Sequence, residues 1–338
     1  MFSAAKPTPR DPEPSARART ISVIVPSWRR PADLERCLRA LAAQTRRPLE
    51  VVVGARGDDS DTECTADAVR AATGLAVRVA TTPQPGVIAA MAVALGECRG
   101  DVIALTDDDS EPRADWLQRL DACFDDPAVG GAGGRDWQPK ERGDRADVGR
   151  VQWMGRVIGN HHLGAGPARP VDVLKGVNLA MRAPLLAASG FDARLRGGGA
   201  QMFWELALCL PARRAGWTLV YDPATAVDHH IAARHDADQR HRGVFAAQAQ
   251  ADAVHNETLV MLEHLSPVRR VAFFLWAILV GTRIEPGLLQ AVRLTIAGDT
   301  DVVGKLASTL AGRLTGLLRW MREGRDASRG LPRPPRES

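Results

Sequence analysis

Apolar, strand-like segments alternate with helix-like segments along the first third of the chain, and this alternation limits the folds open to it. Short apolar runs start near Ile21, Leu49, Val77 and Val102, at intervals of 28, 28 and 25 residues. Between them lie stretches with apolar residues at helical spacing, such as "PADLERCLRALAAQ" and "GVIAAMAVALGEC". Strand and helix repeating at this interval are typical of right-handed βαβ units. The sequence therefore predicts an α/β fold with a mostly parallel sheet.

The length and composition of the chain fit one large domain, or one domain with an appendage. The 338 residues are 45% hydrophobic and 25% charged, which are values of globular proteins. The net charge of +4 is modest, and no helix-turn-helix signal, zinc-finger spacing or aromatic RNA-binding motif is present, so we expect no nucleic-acid partner. The five cysteines lack CxxC spacing, which favours reduced thiols in a cytosolic protein. Residues 1–19 lack the apolar core of a secretory signal and are predicted to form a disordered tail.

Three consecutive carboxylates, Asp107, Asp108 and Asp109, directly follow the apolar run "DVIAL" and a threonine. Ligands gather at the carboxyl ends of the strands in parallel sheets, so these side chains are candidates for a site. Carboxylates without nearby His or Cys favour Mg²⁺ or Mn²⁺, which is often held by one or two carboxylates and substrate phosphates. Pro112 stands where an EF-hand loop needs glycine, which excludes that loop. The alternative is a solvated acidic turn in which Ser110 or Asp109 caps the next helix.

The second half of the chain changes character twice. Residues 130–235 are irregular and Gly-rich, and "GGAGGRD" predicts a strand with close backbone contacts. Residues 236–322 have long helical patterns and are predicted to form a helical extension, followed by a disordered tail over 323–338. The apolar run 271–281 is 11 residues long, whereas a helix needs ~20 to cross a bilayer. Two alternatives stay open for it: a helix buried against the core, or a helix lying in the membrane interface.

Five segments in order resemble the family-2 glycosyltransferases, which have the GT-A nucleotide-sugar fold. They are "ISVIVPSWRRPADLERCLRALAAQT", "GDVIALTDDDSEPRADWL", "LKGVNLAMR", "GFDARLRGGG" and "RRAGWTLVYDP" with the following "AVDHH". The resemblance covers about residues 20–232. It implies a Rossmann-like, mostly parallel sheet sandwiched by helices over 20–235, with a nucleotide half (about 20–110) and an acceptor half (about 111–235). It also implies transfer of a sugar from a nucleotide-diphosphate donor, usually with inversion.

The resemblance further implies where the donor and its metal would bind. Metal ligands would be Asp109, Asp107 and, near the end of the last motif, His229; the alternative for His229 is a merely exposed histidine. The nucleotide would lie against the first strand's end, the loop after the second strand and the acidic cluster. The expected nucleotide-binding residues are Pro26, Ser27, Trp28, Arg56, Asp58, Asp107 and Asp108. The alternative for the second loop is a polar turn in which Asp59 or Ser60 caps a helix.

An inverting displacement also needs a base to accept the proton of the acceptor hydroxyl. Family members commonly carry Glu-Asp at the start of the helix before "RRAG", but an ungapped alignment puts Met202 and Phe203 there. Glu205 is the nearest carboxylate, and it would serve if the helix begins late enough to place it in the first turn. Asp228 is the reserve. The alternative for Glu205 is a structural role, either capping the helix or pairing with an arginine such as Arg213.

The irregular middle of the chain should recognise the acceptor. Polar or aromatic residues between glycines are the candidates there: His161, His162, Lys175, Asn178 and Trp204. A zinc site built from the histidines is disfavoured because no supporting spacing exists. A lipid-linked or glycan acceptor at the inner face of the cell membrane would explain the apolar, basic C-terminal region.

The expected function is therefore a metal-dependent inverting glycosyltransferase that builds a cell-envelope glycan or glycolipid. Two rivals stay open. One is a nucleotidyltransferase on a related scaffold, although no early Gly-rich phosphate loop supports it. The other is a non-catalytic nucleotide-sugar-binding or membrane-scaffold protein, which Met202 and Phe203 leave open.

Overall fold

The computed structural model describes residues 18–138, 143–231, 244–324 and 328–335. The strands are β1 (Ile21–Pro26), β2 (Glu50–Arg56), β3 (Val77–Thr82), β4 (Val102–Leu105), β5 (Ser110–Pro112), β6 (Val129–Trp137), β7 (Arg150–Val151), β8 (Val157–Ile158), β9 (Arg169–Val171), β10 (Leu179–Arg182) and β11 (Thr218–His229). The helices are α1 (Pro31–Ala42), α2 (Ser60–Thr73), α3 (Val87–Glu97), α4 (Trp116–Cys123), α5 (Ala183–Ser189), α6 (Trp204–Arg214), α7 (Ala247–His264), α8 (Pro267–Leu279), α9 (Leu288–Ile296) and α10 (Val302–Glu323). The βαβ units predicted for the first third are confirmed.

Nine strands form one sheet in the order β3-β2-β1-β4-β10-β6-β11-β5, with β9 added beside β11. Strands β1 to β4 are mutually parallel, and β10 runs antiparallel between β4 and β6. Strand β11 is parallel to β6. The carboxyl ends of β1, β2, β4, β6 and β11 therefore lie along the same edge of the sheet, which is where ligands bind in such folds.

Helices cover both faces of this sheet, as predicted. On one face, Leu34 of α1, Val69 of α2 and Trp116 of α4 belong to a buried apolar cluster. On the other, a larger buried cluster includes side chains from α3, α5, α6, α7 and α8. The strand predicted at "GGAGGRD" is β6, and it is buried over eight of its nine residues. A side chain at Gly133 or Gly134 would overlap the backbone of Asn178 or Thr225, so glycine permits this close approach.

The C-terminal helices share the core of the second half of the sheet domain. Leu259 and Met261 of α7 and Phe273 of α8 lie in the same buried cluster as α6. The predicted boundary at residues 235/236 lies outside the described residues, as do residues 1–17 of the N-terminal tail. Residues 328–335 differ from the expected disordered tail, because Leu331 is buried and the carbonyl of Pro332 accepts a hydrogen bond of 2.6 Å from Trp217 Nε1.

Neither alternative for the apolar run 271–281 describes it completely. One side of α8 buries Phe273 and Ala277, while Val271 and Leu275 on the other side are exposed. Among the described residues, no helix combines the length and the apolar character that crossing a membrane requires.

Helices α7 and α10 pack closely because two glycines of α10 face α7. A Cβ at Gly312 would lie 2.6 Å from the carbonyl oxygen of Ala251, and one at Gly316 would lie 2.7 Å from that of His255. Between these glycines, the buried Arg313 pairs with Glu257 at 2.5 Å. The close approach brings these buried charges together, so a larger residue at either glycine would separate them.

We expect Gly312→Val to lower the free energy of unfolding by about 1–3 kcal/mol, since overpacking of a tight contact costs that much. Ala311→Val is the matched control, because Ala311 lies on the exposed side of the same helix. Denaturant unfolding measures both variants. Equal stabilities would contradict the close packing of α7 and α10.

Candidate functional site

Three of the residues expected to bind metal come together at the carboxyl edge of the sheet. Asp107 and Asp109 follow β4, and His229 ends β11. One potential ligand atom from each lies within 4.8 Å of the others. Two carboxylate oxygens and one imidazole nitrogen suit Mn²⁺, and the carboxylates suit Mg²⁺ as well. The cluster faces the direction in which ligands approach an α/β sheet, so it fits a divalent cation shared with a substrate.

The charge of this cluster is balanced by His229. Its Nε2 lies 3.3 Å from Asp109 Oδ1, and its Nδ1 lies 3.6 Å from Asp136 Oδ2. Burial by itself lowers the pKa of His229, but hydrogen bonding and charge from Asp109 and Asp136 outweigh it and raise the pKa to about 9. The imidazolium thus supplies positive charge to the carboxylates, and a metal ion at the cluster would take its place and release the proton.

Asp136, at the end of β6, is a part of the site that the sequence analysis missed. The side chain is fully buried, and its Oδ2 accepts hydrogen bonds from Lys175 Nζ at 2.5 Å and Gln138 Nε2 at 2.8 Å. Burial alone would raise the pKa of Asp136, but Lys175 and His229 hold it well below its usual range. Its Oδ1 is buried with no hydrogen-bond partner among the described residues. The signal in the sequence was a carboxylate that ends a Gly-rich strand, at the same edge as the aspartate run.

Asp108 is buried and faces the end of β1. Its oxygens accept hydrogen bonds from Ser27 Oγ at 2.8 Å and from Arg30 at 2.9 Å. Burial raises the pKa of Asp108 to about 7, although Arg30 opposes this. The residue thus joins the end of β4 to the end of β1, where Pro26 is the last strand residue. Arg30, which also lies 3.6 Å from Asp109, was not singled out in the sequence analysis.

The alternative of a solvated acidic turn is wrong. Asp108 and Asp109 are only 3% and 5% exposed, and the residue at the N-cap of the next helix is Asp115. The energy required to hold these carboxylates in a buried position therefore points to a site.

The expected nucleotide-binding residues of the first two loops lie next to one another. The guanidinium of Arg56 is 4.8 Å from the centroid of the Trp28 ring, and that of Arg29 is 5.1 Å away. Asp58 is half exposed and pairs with Arg56 at 3.2 Å. Asp59 is the N-cap of α2 and accepts a hydrogen bond from Thr62, so the predicted alternative of a capping Asp59 is confirmed for that residue. Trp28, Arg56 and Asp58 therefore line one side of the edge.

Glu205 meets the structural condition set for a base. Helix α6 begins at Trp204, after Phe203 in a left-handed conformation, so Glu205 lies in the first turn. Its Oε1 is 3.4 Å from the backbone N–H of Gly176. Burial raises the pKa of Glu205, and the negative charge of Asp107 raises it further. The Glu205 carboxylate and Asp107 are therefore close enough to interact electrostatically.

Arg213, the suggested ion-pair partner of Glu205, and Asp228, the reserve base, are each paired with another residue. Arg213 pairs with Asp172 at 3.4 Å, and no ion pair among the described residues joins it to Glu205. Asp228, the reserve base, pairs with Arg113 at 3.0 Å. Because consecutive residues of a strand point to opposite faces, Asp228 points away from the side on which His229 meets the aspartates.

A buried asparagine of α7 holds the loop that precedes Glu205. Asn256 accepts a hydrogen bond of 2.7 Å from the backbone N–H of Arg196. It donates to the carbonyl oxygens of Arg196 at 2.9 Å and Met202 at 3.1 Å. This clamp fixes where the loop ends and α6 begins. Sequence reasoning missed Asn256, because nothing near it in the sequence indicates which loop it contacts.

Three of the five residues expected to bind the acceptor are buried and have their side chains packed or hydrogen-bonded inside the protein. His161 is buried with Nε2 3.0 Å from the carbonyl of Val173, and burial lowers its pKa to about 4. The amide of Asn178 bonds to Trp116 Nε1 and to the carbonyl of Thr225. Trp204 is 7% exposed. These side chains build the scaffold beneath the site.

Lys175 and His162 are the two expected acceptor residues that remain partly exposed. The Lys175 side chain is 34% exposed while it pairs with Asp136. His162 is partly exposed, and its carbonyl accepts a hydrogen bond from Arg135. Both side chains are therefore accessible to solvent, and Lys175 borders the candidate site through its contact with Asp136.

Solved structures of sugar transferases share this architecture. A mannosyltransferase, PcManGT from Pyrobaculum calidifontis, in complex with GDP-Man and Mn²⁺, superposes with a TM-score of 0.54 at 20% identity over 94% of this chain and 92% of that one. The structure of GalNAc-T7 with UDP, GalNAc and Mn²⁺ gives a TM-score of 0.59 at 15% identity over 91% of this chain and 57% of that one. The fold is thus the GT-A fold, as predicted.

The family follows from the sequence match. The family model described as "Glycosyltransferase like family 2" matches residues 18–246, and the chain belongs to this family. The uncharacterized protein y4gI of Sinorhizobium fredii (strain NBRC 101917 / NGR234) is 31% identical over 150 residues, which are 41% of this chain and 16% of that protein. The chain thus matches only a small part of that relative's length.

We expect Asp136→Asn to weaken Mn²⁺ binding about 10- to 100-fold, because the carboxylate orients His229 and partners of metal ligands have effects of this size. Isothermal titration calorimetry with MnCl₂ measures the affinity without any turnover. Asp109→Asn should abolish binding.

The matched control is Asp67→Asn, since Asp67 forms only an exposed ion pair with Arg70 on α2. If Asp136→Asn and Asp67→Asn bound Mn²⁺ as well as the unaltered protein, Asp136 would have no part in the metal site.

Proposed function

We propose that the protein is a metal-dependent, inverting glycosyltransferase that moves a sugar from a nucleotide-diphosphate donor to a hydroxyl group of the acceptor. The observation that carries this proposal is the cluster of Asp107, Asp109 and His229, with the Glu205 carboxylate within electrostatic reach of it. Family membership and the GT-A fold support the same class of reaction.

The chain offers distinct groups for the two ends of the donor. Trp28, with Arg56 beside its ring, provides a flat face and a cation for the nucleotide. Asp107, Asp109 and His229 would hold Mg²⁺ or Mn²⁺ against the diphosphate. A bound cation would stabilise the negative charge that develops on the departing diphosphate. Two similar structures contain GDP-Man with Mn²⁺, or UDP and GalNAc with Mn²⁺, which supports a donor of this chemistry.

Glu205 is the proposed general base. The acceptor oxygen would form a bond to the anomeric carbon while the bond from that carbon to the diphosphate breaks, and the hydroxyl proton would pass to Glu205. A single displacement of this kind inverts the anomeric centre. Burial and the charge of Asp107 raise the pKa of Glu205, which makes its carboxylate a better proton acceptor.

The acceptor we infer is a glycan or glycolipid of the cell envelope, reached from the cytoplasmic side. Lys175 and His162 are partly exposed and are the remaining candidates to contact it. A non-catalytic binding protein is the less supported alternative. It rests on Met202 and Phe203 at the usual base position, whereas the start of α6 at Trp204, with Glu205 in the first turn, supports an enzyme.

We expect Glu205→Gln to slow release of the nucleoside diphosphate about 10²- to 10⁴-fold, the usual contribution of a general base. The assay uses purified protein, Mn²⁺ and a panel of GDP- and UDP-sugars, with water or added glycans as acceptor. Donor affinity, measured by calorimetry, should change little, because Glu205 is assigned to the acceptor hydroxyl.

Asp228→Asn is the control, because Asp228 is the reserve candidate for the base and pairs with Arg113. Its turnover should stay near that of the unaltered protein. Full turnover in Glu205→Gln together with loss in Asp228→Asn would reverse the assignment of the base. A protein that binds donors but never releases a nucleoside diphosphate would be a binding protein.

A further inference from the structure

The outer side of α8 is an unbroken apolar stripe. Its exposed positions after Pro267 are Val268, Val271, Leu275 and Leu279, which are 47–68% exposed. A helix that faces water on one side normally carries polar or charged residues there. The opposite side of α8 packs into the core, so the helix cannot rotate to hide this stripe.

The next two helices repeat the feature, and α9 packs against both α8 and α10. On α9 the stripe is Leu289, Val292 and Ile296, the last of which is 82% exposed. On α10 it is Val303, Leu310, Leu314 and Leu318, at spacings that keep one side of the helix outward. We call these stripes of α8, α9 and α10 together the apolar face.

The apolar face is not the ordinary scatter of exposed apolar residues. Among the described residues, 15 of the 20 exposed large hydrophobic side chains lie between Val268 and Met321. Single exposed apolar residues are normal, whereas a continuous set of them marks an interaction surface.

The charge around the apolar face is positive. Residues 267–324 contain eight Arg or Lys and four Asp or Glu, a surplus of four positive charges, which equals the net charge of +4 of the whole chain. Arg283, Arg293 and Arg322 are exposed, whereas Glu285 is buried near Arg313. A surface that combines apolar stripes with surrounding cations complements anionic lipid.

An exposed tryptophan lies beside the apolar face. Trp153, at the tip of the β7–β8 hairpin, is 61% exposed. Arg269 of α8 donates hydrogen bonds of 2.9 Å to the carbonyl of Trp153 and 3.0 Å to that of Gln152, which fixes the hairpin against the helix. Tryptophan is enriched at membrane–water interfaces because its ring is amphipathic.

We propose that α8, α9 and α10 lie on the surface of an anionic phospholipid bilayer, with the apolar face in the interface and the surrounding arginines at the headgroups. Among the described residues, no helix is both long and apolar enough to cross a membrane. The proposal places α8, α9 and α10 in the interface, as amphipathic helices with basic residues are known to lie. This proposal adds a membrane location to the proposed function. It rests on the proposed function only in one consequence, which is that the enzyme would meet a lipid-linked acceptor at the membrane.

Flotation of the full chain with lipid vesicles tests the proposal without donor, acceptor or metal, so its outcome is independent of the proposed transfer reaction. The vesicles contain phosphatidylcholine alone or phosphatidylcholine with phosphatidylglycerol. We expect the protein to float with the anionic vesicles. The double variant Leu275→Glu/Leu314→Glu should bind them at least about tenfold more weakly, since it loses burial of two leucines.

Leu49→Glu is the matched control, because Leu49 is 45% exposed and lies just before β2, outside the apolar face. It should float like the unaltered protein. Thermal unfolding shows whether each variant is folded, and Val292→Glu/Ile296→Glu on α9 serves if the first pair is not.

Three results would overturn the proposal: no flotation of the unaltered protein, equal binding to neutral and anionic vesicles, or equal loss in Leu49→Glu. The alternative is that a second copy of this chain covers the apolar face. Light scattering after size exclusion tests this alternative by measuring the oligomeric state. A dimer that dissociates in the double variant, without lipid binding by the unaltered protein, would assign the apolar face to a second copy of this chain.

Discussion

The concentration of negative charge at the carboxyl edge of the sheet is the constraint on which the rest of the site depends. Asp107, Asp108, Asp109 and Asp136 come from two strand ends, and three of them are nearly or fully buried. Such charges are tolerated only with nearby positive partners. The partners are Arg30 for Asp108, His229 for Asp109 and Lys175 for Asp136, so the charges of the cluster are balanced by residues at the same edge of the sheet.

The sheet topology explains why these residues meet. Strand β10 runs antiparallel between β4 and β6, so β6 regains the direction of β4, and β11 follows it. The carboxylates after β4, the one ending β6 and His229 ending β11 therefore share an edge although they are far apart in sequence. The alternation of strand-like and helix-like segments, together with the aspartate run, predicted the parallel strands and the carboxylates after β4. Asp136 also follows a Gly-rich strand in the sequence, but its proximity to His229 depends on the register of β6 beside β11, which the sequence does not reveal.

The expected acceptor residues show a second limit of sequence reasoning. His161, Asn178 and Trp204 were chosen because polar or aromatic residues between glycines often face a ligand. In the structure, Asn178 forms hydrogen bonds with backbone carbonyls and Trp116, and His161 forms one with the carbonyl of Val173. Their polar groups are therefore used in hydrogen bonds inside the protein. Whether a buried polar residue faces a ligand or a strand is decided by partners distant in sequence, and one sequence alone does not reveal them.

The C-terminal helices connect the two proposals physically. The inner side of α7 carries Asn256, which holds the loop before Glu205, and α10 packs on α7 through Gly312. The outer sides of α8 to α10 form the apolar face. The inner side of α7 and the apolar face belong to one packed group of helices. A membrane in contact with the apolar face would therefore touch the helices that pack against α7, which fixes the start of α6. The helical extension is therefore a structural support of the candidate active site as well as its proposed contact with lipid.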